Sequence, residues 1–431
     1  MNAPPLLGRR VAVVGGGIGG LTAALLLARI GAGVTLIERH PAPADAGTAV
    51  GLYPHGLAVL HGLGLAEALG EMSFQLRSAV FAIDGRVVTN ISLPDFGEGL
   101  DHILVLTRGR LSRVLLDAIG SNGGVDVRYG HRVVGATRDG HLDVHGPGGV
   151  TYELQADLVI GADGVHSCVR ASGQFNARLV RTKSVTMRVL LPWQPSCASI
   201  GEHWSRYGVA VAAPVGGGMA YVAFGASRGR LKAAVEQRDL VVLREVGAAL
   251  LPDAGEALAR INFDDTVVTP VETVRCRRWT DGRLVLLGDA AHAMTPNLGQ
   301  GANSALLDAA ALVLALSSEQ SLATALRAYV ARRRRAVGWI QRGSSLHCFV
   351  SESCTLSGLR QVRNAVVGQV AKFNRSFLRA IEQDDPAWVT APFAGWLPPP
   401  APEPCRTIRR LDGGHSRLFM DPAQIAARSS G

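Results

Sequence analysis

The chain has 431 residues, 47% of them hydrophobic, enough for two or three domains with substantial cores. Its 44 basic and 35 acidic residues leave a formal charge of +9. The cations are scattered without interleaved aromatics, which argues against nucleic-acid binding and for a basic enzyme surface that draws anionic cofactors or substrates.

Arg9-Arg10 ahead of an apolar run has the look of an export signal, but the run breaks at once into glycines. Residues 11–14 predict a buried strand, Gly15-Gly16-Gly17-Ile18-Gly19-Gly20 a turn, residues 21–30 an almost wholly apolar helix, and residues 34–37 a second strand ending at Glu38. Leu and Ala recur at helical spacing over residues 57–69 and again over 111–119. Between them Asp84-Gly85 marks a hairpin of strands 79–83 and 87–91.

Residues 125–134, 141–144 and 150–154 predict a meander, and residues 158–160 another buried strand. Strands 184–191, 209–213 and 219–224, with a Val215-Gly216-Gly217-Gly218 turn, predict an antiparallel sheet with a different job. Residues 284–287 return to the buried type, so the nucleotide-binding part is assembled from separated segments. Helices follow over 303–316 and 322–349. The run Arg332-Arg333-Arg334-Arg335 on the second is read as a solvated face. Residues 397–404, rich in proline, predict an extended spacer.

No apolar run, residues 309–316 included, approaches the ~20 residues that span a bilayer. The expectation is a cytoplasmic chain, monomer or homodimer, without stable membrane association. Cys168, Cys197, Cys276, Cys348, Cys354 and Cys405 form no CxxC pair, so neither a metal site nor a disulfide framework is expected.

In Gly15-x-Gly17-x-x-Gly20 the first glycine permits a tight turn, the second lets backbone approach a pyrophosphate, and the third lets helix and strand pack closely. The helix N-terminus then offers free N–H groups and a positive dipole end. Glu38, about 20 residues on, suits ribose hydroxyls and disfavours a 2′-phosphate. A second glycine-rich stretch runs from Gly288-Asp289 through Pro296 to Gly299-Gln300-Gly301-Ala302-Asn303.

With Arg108-x-x-Leu111-x-x-x-Leu115 and Asp157-Leu158-Val159-Ile160-Gly161-Ala162-Asp163-Gly164-Val165-His166-Ser167-x-Val169-Arg170, these motifs resemble the group A, single-component FAD-dependent aromatic hydroxylases over residues 11 to about 345. The resemblance implies an α/β fold: a Rossmann-like FAD-binding domain (1–72, 100–175 and 275–320) and an inserted antiparallel substrate sheet (73–99 and 176–274). C-terminal helices (321–390) and a proline-rich tail (391–431) follow. Arg108 would contact the FAD backbone. Asp163-Gly164 would lie near the pyrophosphate and the nicotinamide route, and Asp289 would bind the ribityl chain. Pro296 and residues 299–303 would line the isoalloxazine. The full set of expected FAD contacts is Gly15, Gly17, Ile18, Gly19, Gly20, Glu38, Arg39, Arg108, Val133, Asp163, Gly164, Asp289, Pro296, Gly299, Gln300, Gly301, Ala302 and Asn303. His292 is read as a packed structural histidine.

NADH or NADPH would dock transiently, without a Rossmann domain of its own. Reduced flavin and O2 would form a C4a-hydroperoxide that hydroxylates or epoxidises an aromatic or olefinic small molecule, as in secondary metabolism. Relatives often place a base on the substrate sheet, yet Tyr207 to Pro214 is apolar in its body. Arg188 follows Met187 where relatives have tryptophan. Arg188 and Tyr221 are the candidate catalytic residues, with His203 nearby. The missing base favours a substrate that is already nucleophilic, such as an indole or pyrrole, or an alkene. Alternatives are a geranylgeranyl-reductase-like flavoenzyme and a non-catalytic flavin scaffold. A flavin halogenase lacks its WxWxIP segment, Trp193 standing alone.

Overall fold

Residues 11–14 are apolar and buried on both faces, as a central parallel strand requires. Strand Arg10–Val14 accordingly pairs in parallel with Gly33–Glu38 on one side and Leu158–Gly161 on the other. The structure is a computed structural model that describes residues 8–43, 48–70, 73–93, 99–195, 200–353 and 361–364. The proline-rich stretch and Cys197, Cys354 and Cys405 lie outside the described residues.

The six-stranded sheet, parallel except for its antiparallel edge strand Thr280–Asp281, runs Thr280–Asp281, Leu284–Leu286, Leu158–Gly161, Arg10–Val14, Gly33–Glu38 and Val125–Tyr129. Val125–Tyr129 thus leaves the expected meander and forms the sheet edge. Gly130, at φ +74°, makes the break, and Arg132–Ala136 starts a separate three-stranded sheet with His141–His145 and Thr151–Gln155. Helix Ile18–Arg29, buried from Ile18 to Leu27, is packed against helix Gly301–Ser318.

By length and mean hydropathy (1.3), helix Gly301–Ser318 could cross a membrane, which the apolar runs alone did not suggest. It carries buried Asn303, Ser304 and Asp308, and helices Ile18–Arg29, Pro54–Gly62 and Leu322–Ser353 pack around it, so it serves as a core helix of this fold.

The second sheet has seven strands in the order Thr266–Cys276, Ala177–Leu191, Met219–Ala226, Val209–Gly216, Ile200–Trp204, Ser78–Ile83 and Arg86–Ser92. Its hairpins turn where expected, at Asp84-Gly85 (φ +46° and +78°) and Gly217-Gly218 (φ +61° and +74°). Residues on opposite sides of the pleat have different fates. Met187, Val189, Ala210, Ala212, Val222 and Phe224 form a core with Leu231, Leu243 and Val246 of two helices, Gly229–Gln237 and Leu240–Leu250. Arg188, Ala223, Val211 and Glu202 line a cavity on the other side. Helix Gly229–Gln237 and strands Ile200–Trp204 and Thr266–Cys276 lack the continuous apolar runs that mark the other elements in the sequence.

Candidate active site

A single cavity of about 1620 Å³ joins the glycine turn, the Gly288 stretch and the substrate sheet. It exceeds the ~300–1,000 Å³ of an ordinary small-ligand site, leaving room for a dinucleotide and a second molecule.

Each glycine of the turn has its own steric reason. Gly15 sits at φ +108°, and a Cβ there would come within 2.4 Å of the Ala162 carbonyl oxygen. A Cβ on Gly20 would stand 1.9 Å from the Gly15 oxygen, so Gly20 serves helix packing and does not line the cavity. A Cβ on Gly17 would meet only Nη2 of Arg108, at 3.9 Å. That open space, beside a guanidinium and at the start of a helix with no acid in its first turn, fits a pyrophosphate.

Glu38 accepts the Gly16 N–H at 2.6 Å and the His40 N–H at 2.9 Å, with the His40 ring 2.7 Å away. Burial pushes its pKa up, but these partners outweigh burial and hold the carboxyl below its usual range. It stays anionic at the position where ribose hydroxyls would donate. Arg39 and Val133 also line this end of the cavity.

Asp163 and Gly164 both line the cavity beside the glycine turn. The Asp163 carboxylate accepts Ser167 Oγ at 2.5 Å and the N–H groups of Cys168 and Val169 at 2.6 and 3.2 Å. It thereby also holds its own loop together at this edge of the cavity. Arg170 donates to the carbonyls of Val165 and Ala290, at 2.5 and 2.9 Å, and ties this loop to the Asp289 helix.

At the other end, Asp289 is exposed to the cavity. Pro296, Gly299, Gln300, Gly301 and Ala302 form the wall, where helix Gly301–Ser318 begins without an acid in its first turn. Its positive end suits the electron-rich pyrimidine edge of a reduced flavin. Asn303 does not line the cavity. It is fully buried, accepts Tyr53 N–H at 3.0 Å and donates to the carbonyls of Gly51 and Gly299, at 2.9 and 3.2 Å. Asn303 fixes the wall from behind.

The same stretch rests on a buried polar network that the sequence did not disclose. Asp308 Oδ2 accepts the Gly288 N–H at 3.0 Å and lies 2.5 Å from His292 Nε2, while Oδ1 accepts Arg333 Nε at 2.8 Å. Burial pushes the Asp308 pKa up, but His292 and Arg333 bring it down to about 2. Arg333 is fully buried whereas Arg332, Arg334 and Arg335 are exposed, so the four arginines are not one solvated face. Four successive helical positions sweep about 300°, and one of them must face the core.

Arg188 and Tyr221 both reach the cavity from the substrate sheet. Arg188 Nη2 donates to Thr269 Oγ1, and burial pushes the Tyr221 pKa up against the pull of Arg188. His203 is not a cavity residue. It pairs with Ala210, on the side of the sheet that faces the helices. Its neighbour Glu202 lies in the cavity instead and accepts Trp204 Nε1 at 2.7 Å, with His347 Nε2 at 3.4 Å.

A model of a family described as an FAD binding domain matches residues 9–342. The chain belongs to the group A flavoprotein monooxygenases. It is 33% identical over 315 residues to a 2-heptyl-3-hydroxy-4(1H)-quinolone synthase of Mycobacteroides abscessus, covering 71% of this chain and 80% of that one. It is 30% identical to an aurachin C monooxygenase/isomerase of Stigmatella aurantiaca, covering 83% and 91%. Among solved structures, the tetrameric form of 2-methyl-3-hydroxypyridine-5-carboxylic acid oxygenase matches with a TM-score of 0.72 at 27% identity, over 88% of this chain and 98% of that one.

As an FAD-dependent monooxygenase, the protein is neither the double-bond reductase nor the non-catalytic scaffold entertained above. The apolar lining seen in the 207–214 stretch belongs to one strand. Strand Val209–Gly216 presents only apolar groups to the cavity, Val209, Val211 and Ala213, but the adjoining strand brings Glu202 and helix Leu322–Ser353 brings His347. The alternation Glu202-His203-Trp204 is a strand signal too short to stand out alone, and His347 is 145 residues away in sequence.

Proposed function

We propose that this monooxygenase uses NADH or NADPH and O2 to hydroxylate an electron-rich, neutral aromatic ring. The observation that carries this reading is the continuity of the cavity. The pyrophosphate cradle at Gly17, the helix start at Gly301 and the substrate sheet bound one space, so a ring on the sheet and a flavin on the helix start share it.

Glu38, Gly17, Arg108 and Asp289 would hold FAD along its length, and Gly299 to Ala302 would hold its ring. When bound, FAD supplies the redox chemistry that couples NAD(P)H oxidation to insertion of one oxygen atom of O2 into a C–H bond, the other leaving as water. The chain itself contributes position and dryness. Val209, Val211, Ala213 and Ala223 exclude water from the face that receives the ring. Arg188, Tyr221 and Glu202 supply the directional polar groups. The relatives named as 2-heptyl-3-hydroxy-4(1H)-quinolone synthases support a fused nitrogen heteroaromatic as the substrate class.

The test is to measure NADH and NADPH oxidation together with oxygen consumption by the FAD-loaded protein over indoles, phenols, 4-quinolones and polyenes. A ring compound should accelerate NAD(P)H oxidation and consume oxygen in equal amount, without free peroxide. Stimulation by polyenes alone would overturn the reading.

A further inference from the structure

The register of the substrate sheet places Arg188 opposite Ala223, Ala223 opposite Val211, and Val211 opposite Glu202. Cross-strand partners lie on the same side of a sheet, and adjacent strands are ~4.8 Å apart, so the two ends of this row stand about 14 Å apart at their backbones. Ala223 and Val211 form an apolar floor between them, while Arg188 turns Nη2 toward Thr269 on the outer neighbouring strand and Glu202 turns one oxygen toward Trp204 and His347.

The two ends are of opposite hydrogen-bonding character. Glu202 is an acceptor: one carboxylate oxygen serves Trp204 and His347, and the other has no protein partner among the described residues. Arg188 is a donor whose buried Nε has no protein partner among the described residues, its Nη2 being held by Thr269. A buried charged group with free hydrogen-bonding capacity is costly unless something in the cavity satisfies it.

We propose that the row Arg188, Ala223, Val211, Glu202 is the substrate platform, and that it selects a neutral fused ring carrying an N–H at one edge and a carbonyl oxygen at the opposite edge. Glu202 accepts the N–H and Arg188 donates to the carbonyl. A cationic amine fits less well, because Glu202 is already paired with His347 and the row ends in an arginine. The hydrogen bond to Glu202 also pushes electron density from the ring nitrogen toward the carbons between the two polar edges, which favours oxygen insertion there. His347 is a positioning residue: it stabilises the Glu202 carboxylate and leaves the second oxygen for the ligand. This inference rests on the proposed hydroxylation of a neutral ring.

The experiment is calorimetric titration of the FAD-loaded protein with 4-quinolone and 1-methyl-4-quinolone, alongside oxygen uptake with NADPH and with NADH. A lost hydrogen bond to a charged group predicts about 10- to 100-fold weaker binding of the N-methyl compound. Glu202→Gln presents only one acceptor, which Trp204 takes, and should bring the two affinities within about 3-fold. His347→Leu should weaken the preference and His347→Gln, which still donates to Glu202, should restore it. The wild-type ligand pair poses the question even if a variant does not fold. Equal affinities in the wild type, or a preference that survives Glu202→Gln, would overturn the platform. A Glu202-dependent preference without oxygen uptake would leave the platform standing and overturn the hydroxylation reading.

Discussion

Arg333 donates to Asp308 at 2.8 Å with both side chains wholly excluded from solvent, 25 residues apart on two packed helices. The pair stands behind Gly288, whose N–H the same carboxylate accepts, and so anchors the turn that presents Asp289.

Removing Arg333 leaves a carboxylate buried without its guanidinium partner, a change that costs about 3–5 kcal/mol. Arg333→Leu should therefore unfold at markedly lower denaturant than wild type. The exposed neighbour Arg334→Ala should stay within about 0.5 kcal/mol. Chemical denaturation of the FAD-free protein makes the comparison, and equal losses for the two variants would show that the buried pair contributes nothing.

Two glycines three residues apart should fail in different ways. Gly20→Ala forces a methyl to 1.9 Å from the Gly15 carbonyl, so strand and helix must separate and stability falls by about 1–3 kcal/mol or more. Gly17→Ala meets open space in an extended backbone and should leave the melting temperature of the FAD-free protein unchanged. Its methyl would occupy the pyrophosphate cradle and weaken FAD about 10-fold or more, the equivalent of one charge-assisted hydrogen bond. A fluorescence titration with FAD separates the two outcomes.

His55 is fully buried against Gln300, at 3.0 Å, and burial lowers its pKa from 6.5 to about 3. Above pH 6.5 it is neutral in both states and adds no pH dependence. As pH falls from 6.5 toward 3 the unfolded chain takes up a proton that the folded chain refuses, and stability drops by up to about 1.4 kcal/mol per pH unit. His55→Gln should remove that part of the slope. Unfolding free energies at pH 7, 6 and 5 for both proteins check it, and parallel curves would sink the idea.

The cofactor end of the cavity was largely legible in the sequence because its signals are local. Gly15, Gly17 and Gly20 fall within six residues: Gly20 is crowded by Gly15 itself and Gly15 takes a positive φ, although the Ala162 carbonyl that also crowds Gly15 comes from a distant part of the chain. The substrate end was not. Glu202 gains its meaning from Val211 beside it and His347 above it, and neither proximity follows from chain order. Asn303 shows a third case: the residue was singled out, but its side chain holds the wall in place and the cavity is bordered by its neighbours.

By itself the sequence determined the fold family and the flavin, since a dinucleotide is gripped by short stretches whose spacing is set by one strand, one turn and one helix. Only the tertiary structure decided which charged groups face the substrate and which one of four arginines enters the core. Those outcomes depend on strand register and helix rotation, and shifting either by one residue turns a side chain to the opposite face or swings it about 100° around the helix.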